Sequence, residues 1–200
     1  MGINEIYLGI LAVLVVTEIL LLFVYTQRLH FPHKVDGRYS LRGVLVSVSM
    51  YTLIGVACTQ FISLQIGHDL ITPRELIMVF AGLVGGPVVA LPTAALTATG
   101  TLFIGGHTAV ASAISCFVCA GLGSLLWFSA KKQFPDTWAC TALIIIAMVF
   151  NFGIIVLMSN GSPFNTISVT AVIIMTILNT ATMLATAYLY NILIKDNEGL

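Results

Sequence analysis

Apolar residues along this chain come in runs long enough to cross a bilayer, separated by short clusters of polar residues, glycine and proline. A helical span needs about 20 such residues. Segment one, about Glu5 to Thr26, and segment two, about Arg42 to Leu64, each meet that length. Segments five, six and seven do so over about Thr108 to Phe128, Trp138 to Leu157 and Thr166 to Leu193. Between segments two and five the pattern changes. Arg74 to about Val84 supplies roughly 16 Å of helix at 1.5 Å per residue, near half the hydrocarbon thickness. Gly85, Gly86 and Pro87 then interrupt the run, and Val88 to Ile104 resumes it. The predicted architecture is all-α: a polytopic membrane helical bundle of about seven segments, in which segments three and four form a short broken hairpin. Treating Arg74 to Phe103 as one kinked span gives six.

Charge orients the bundle. The connection from Gln27 to Leu41 contains Arg28, Lys34 and Arg38, and Arg42 follows it. Basic residues mark cytoplasmic loops, so the N-terminus is expected outside and the C-terminus inside. Gln65 to Pro73, with His68 and Asp69, then becomes an external loop, as does Ser159 to Pro163. This layout places seven of the eight basic residues inside and leaves Arg74 outside. The six-span alternative moves Lys131, Lys132 and Lys195 outside, against the charge rule. The run from Ile6 to Tyr25 has neither a basic start nor a small-residue cleavage site, so it reads as a retained span.

Composition agrees with the pattern. Of the 200 residues 58% are hydrophobic and 8% charged, too few charges to cover a soluble globule. Eight basic and eight acidic side chains cancel, which excludes an electrostatic footprint for nucleic acid. Cys116 and Cys119 stand at redox or metal spacing, but no second pair or histidine accompanies them, and with Cys58 and Cys140 they read as packing residues. No paired carboxylates, nucleophile triad, metal cluster or phosphate loop is visible, so no cofactor or catalytic role is assigned to this chain.

The stretch Thr72 to Thr108 carries the candidate chemistry. Arg74 stands where hydrocarbon begins, and a guanidinium there is costly unless an anion or a set of carbonyls meets it. Its planar fork suits a carboxylate or phosphate; the alternative pairs it with Glu75 or Asp69, or lets it reach headgroups. Thr93, Thr97 and Thr101 share one helix face, and Thr108, Ser112, Ser115 and Cys119 share another. Thr101, Ser112 and Ser115 are candidates to meet a ligand beside Arg74, whereas Thr93 and Cys119 read as close-packing residues. Gly105, Gly106, His107 and Thr108 are further candidate ligand contacts, with His107 also a candidate pH sensor or simply solvated. Glu18, Asn151 and Asn179 are intramembrane polar groups that line the same cavity or bond between helices.

Thr72-Pro73-Arg74, the run Ala81 to Pro87 and Gly105-Gly106 match, in order and spacing, the core motifs of the LytS-YhcK type transmembrane sensor region, which this chain resembles. The resemblance is motif-level over about half the chain and hydropathic elsewhere. It implies a sensory input domain over residues 1–194, with 195–200 starting a linker to a cytoplasmic diguanylate cyclase or histidine kinase. It also implies a homodimer in the bacterial inner membrane that binds a small external metabolite, a small carboxylate by the family's pattern. Members resembling pyruvate sensors carry an arginine, a cysteine and a serine where Thr101, Ser112 and Ser115 stand here. The lost arginine favours a singly charged or neutral ligand and tilts the output toward the cyclase. Two other readings stay open. One is a substrate-binding transport subunit of the vitamin type, although segment one lacks the A-x-x-x-A docking surface of such components. The other is an oligomerisation anchor with no ligand.

Overall fold

The computed structural model of the chain describes residues 34–35, 38–61, 64–66, 69–71, 73–105, 109–131, 133–158 and 166–198. Segment one and Glu18 lie outside the described residues. Six helices follow in order: α1 Leu41–Phe61, α2 Arg74–Gly85, α3 Pro87–Ile104, α4 Ala109–Ser129, α5 Thr137–Met158 and α6 Thr166–Glu198. They coincide within a few residues with predicted segments two to seven, except that α6 continues past the expected end at Leu193. Four stretches among the described residues, Leu41–Thr59, Pro87–Ile104, Ala109–Ser129 and Thr137–Met158, are long and apolar enough to cross a membrane. Two small antiparallel hairpins occupy regions expected as loops. Strand β1 (Lys34–Val35) pairs with β2 (Arg38–Tyr39), Val35 opposite Arg38, and β3 (Leu64–Ile66) pairs with β4 (Asp69–Ile71), Ile66 opposite Asp69.

The glycine-proline break separates two helices that fold back on each other. A continuous helix would put Arg74 about 40 Å from Thr101, yet the Arg74 guanidinium donates to the Thr101 hydroxyl at 3.1 Å. Gly86 makes the reversal with φ +62° and ψ −163°, a backbone region open essentially to glycine alone. Pro87 then starts α3, where its missing N–H costs nothing.

Every residue of α2 is buried, and α1, α3, α4 and α5 pack around it. The closest approach is to α4. A Cβ added at Gly82 would lie 2.7 Å from the Ser124 nitrogen and 2.9 Å from the Ala120 carbonyl oxygen, and one added at Gly123 would strike the Val79 carbonyl oxygen. Two glycines facing each other therefore let the backbones touch, as small residues do between helices in lipid.

The rest of the molecule is apolar outward and partly polar inward. Leu96, Phe103, Leu125, Val149 and Ile177 are exposed, while Ser47, Thr93, Thr97, Ser124 and Thr182 are buried. Hydroxyls inside the bundle mostly donate to the carbonyl four residues earlier, as Ser47 does to Gly43 at 2.7 Å and Thr93 to Val89 at 2.8 Å. At the end of the bundle reached by the C-terminal part of α2, Phe80, Phe134 and Tyr190 form an aromatic cluster, with Phe134 and Tyr190 centroids 4.1 Å apart. It joins α2 to the α4–α5 connection and to α6.

Gly123→Ala is expected to lower the unfolding free energy by about 1–3 kcal/mol, the usual effect of overpacking. Gly121→Ala, at a site with nothing within 4 Å, is expected to leave it unchanged. Thermal melts of the two variants in detergent check this, and equal melting would show that the α2–α4 contact does not limit stability.

Candidate functional site

Arg74 and Glu75 form the first turn of α2. The positive end of a helix favours Glu75 and disfavours Arg74, so the arginine is not placed there to stabilise the helix. Both side chains are buried, at 3% and 5% exposure. Removing a guanidinium from water is costly unless its donors are met, and here two of its three nitrogens have partners. Nη2 donates to Glu75 Oε1 at 2.9 Å, Nη1 donates to Thr101 Oγ1 at 3.1 Å, and Nε has no partner among the described residues. The Thr101 hydroxyl is fully engaged, because it also donates to the Thr97 carbonyl at 2.9 Å. Arg74 is thus held by the far end of α3, and Nε is the one guanidinium nitrogen left without a bond among the described residues.

A partly open cavity of about 50 Å³ lies against this pair. One water needs roughly 10–15 Å³ of such volume, so the cavity admits a molecule of a few heavy atoms. Its polar wall consists of Arg74 and Glu75 from α2, Ser112 from α4, Asn151 from α5, and Thr176 and Asn179 from α6. Met148, Phe152 and Met175 supply apolar wall. Asn179 is 1% exposed; its Nδ2 lies 3.4 Å from Met148 Sδ, and its Oδ1 has no partner among the described residues. Asn151 Oδ1 is also unpartnered. Buried polar atoms are usually paired, so an unmet donor and two unmet acceptors on residues that line one cavity make it the candidate site.

The structure gathers some of the predicted residues and separates others. Arg74, Ser112, Asn151 and Asn179 meet at the cavity. Thr101 stands behind Arg74 and orients it. Ser115 is buried one helical turn beyond Ser112, 3.8 Å from Cys119 Sγ, away from the cavity wall. Gly105 caps α3 with φ +79° and is exposed. Gly106, His107 and Thr108 lie outside the described residues. Gly85, Gly86 and Pro87 form the break at the opposite end of α2. The sequence treated Glu75 only as a possible ion-pair partner; its place in the first turn beside a buried cation was the available signal. Among the described residues no group of His, Cys, Asp and Glu is arranged to hold a metal.

A family model described as 5TMR of 5TMR-LYT matches residues 23–193. No curated protein and no solved structure matches the chain.

Thr101→Val removes the acceptor for Nη1 while keeping the shape, and leaving a buried charged donor unmet costs about 1–3 kcal/mol or more. Thr101→Ser retains the acceptor and is expected to melt near the wild type. Parallel thermal melts in detergent measure the difference; identical melting of both variants would remove Thr101 from the positioning role.

Proposed function

Because this chain belongs to the 5TMR of 5TMR-LYT family, the LytS-type membrane sensor regions, we propose that the Arg74 cavity receives a small external carboxylate and reports it to the cytoplasm. The domain is a multi-pass sensory input region and not a catalytic one. The observation that carries the proposal is that three residues of the cavity wall each hold an unpartnered buried polar atom: Arg74 its Nε, Asn151 and Asn179 their amide oxygens. A carboxylate oxygen on Nε completes the guanidinium without breaking its bonds to Glu75 and Thr101, and charge-assisted bonds of that kind are the strong ones.

The cavity sits at one end of the bundle, where α2, α4 and α6 begin and α5 ends. Lys131 lies at the other end, after α4. With basic residues on the cytoplasmic side, the cavity faces outside and the chain leaves α6 inside, in a bacterial inner membrane. The 33-residue α6 connects the two ends. Thr176 and Asn179 face the ligand, and the same buried stripe continues through Met183, Thr186 and Ala187 to Tyr190 in the aromatic cluster. Ligand contact with one end of so continuous an element shifts its packing at the other, and a homodimer passes that shift to a diguanylate cyclase or histidine kinase.

A thermal-shift screen of small carboxylates on the purified chain tests the site. A stabilising ligand of the wild type is expected to lose its effect on Arg74→Ala and on Asn179→Leu. The first variant leaves Glu75 buried without its partner and is expected to melt lower by about 3–5 kcal/mol of stability. The second keeps the Arg74–Glu75 pair and fills the cavity with apolar atoms, so it is expected to melt near the wild type. A ligand response that survives both substitutions would move the site elsewhere. A reporter that matures only in the cytoplasm, fused after Leu200, is expected to be active; its inactivity would invert the orientation.

A further inference from the structure

Charge in the cavity wall is already balanced. Among the described residues lining it, Arg74 is the single cation and Glu75 the single anion, 2.9 Å apart. A plain monoanion entering the site would add an uncompensated negative charge to a buried space, and unpaired buried charge is heavily penalised. The unmet hydrogen-bonding atoms are also of two kinds. Arg74 Nε is a donor and calls for an acceptor; Asn151 Oδ1 and Asn179 Oδ1 are acceptors and call for donors. A bare carboxylate answers the first and offers nothing to the other two. Asn179 is 1% exposed and its Nδ2 is turned to Met148 Sδ, which leaves Oδ1 as the amide atom without a partner.

We infer that the site takes a small zwitterion, an α-amino acid of the size of glycine or alanine, with its carboxylate on Arg74 and its ammonium on Glu75, Asn151 and Asn179. This rests on the carboxylate site proposed above and narrows its ligand. The ammonium supplies three donors, enough for the Glu75 carboxylate and both amide oxygens. The net charge of the site stays at zero. The cavity volume of about 50 Å³ excludes large side chains, and Met148, Phe152 and Met175 give a small one an apolar wall.

Two isosteric pairs provide the test: glycine against acetate, and L-alanine against propionate, each titrated into the purified full chain in detergent by calorimetry. The amino acid of at least one pair is expected to bind ten-fold or more tightly than its partner, and Arg74→Ala is expected to abolish both. Glu75→Gln is expected to reduce that preference through weaker amino-acid binding. Should Glu75→Gln fail to fold, the wild-type comparison decides alone. Acetate and propionate both binding as tightly as their amino acids, with dependence on Arg74, would overturn the zwitterion and leave the carboxylate site standing. Absence of Arg74-dependent binding by all four would overturn the site itself and the zwitterion with it.

Discussion

A helix of twelve residues cannot cross a bilayer, and every other feature of this bundle accommodates that fact. Both of its ends are buried in the bundle, so their polar groups must be met by protein or by what protein encloses. At the C-terminal end the answer is geometric: Gly86 reverses the chain in a backbone region that side chains exclude, and α3 runs back beside α2. At the N-terminal end the answer is chemical. Arg74 and Glu75 pair with each other, Thr101 of the returning helix takes a second guanidinium donor, and a cavity takes the remainder.

Enclosure on this scale requires close neighbours. Gly82 and Gly123 provide one, because with no Cβ on either side the α2 and α4 backbones come into contact. Buried Ser47, Thr93 and Ser124 donate to carbonyls of their own helices, so they fill space without demanding partners across the bundle. The outward faces of α3, α4 and α5 are left to large aliphatic and aromatic side chains. The same division explains why α6 serves two ends at once. A single helix of 33 residues lines the cavity near its start and joins the aromatic cluster near its end.

Much of the candidate site was legible because its residues are anomalous where they stand. Arg74 beside hydrocarbon, the glycine pair before Pro87 and asparagines inside apolar runs each carry a cost that calls for an explanation. Segment boundaries were legible for a related reason: span length is set by bilayer thickness, and polar clusters end each run. Less visible was which anomalies meet. Ser112 reaches the cavity and Ser115, three residues on, does not, because positions that share a helix face on average still diverge by the 60° that separates i from i+3. Glu75 was hardest to weigh. On paper it is a neutralising neighbour, whereas in space it makes the cavity wall both charged and balanced.

A helical membrane bundle with a broken hairpin can be read from residue order alone, since hydropathy, span length and glycine-proline chemistry are local properties. Residue order also determined that Arg74 had to be accounted for, because the cost of burying a guanidinium depends on little beyond its surroundings being apolar. That Thr101 orients Arg74 while Asn151 and Asn179 line the same cavity emerges from the packed bundle. Those meetings join positions 27 or more residues apart, and they depend on how far α2 sinks against α4 before two glycines touch, a distance that no single segment encodes.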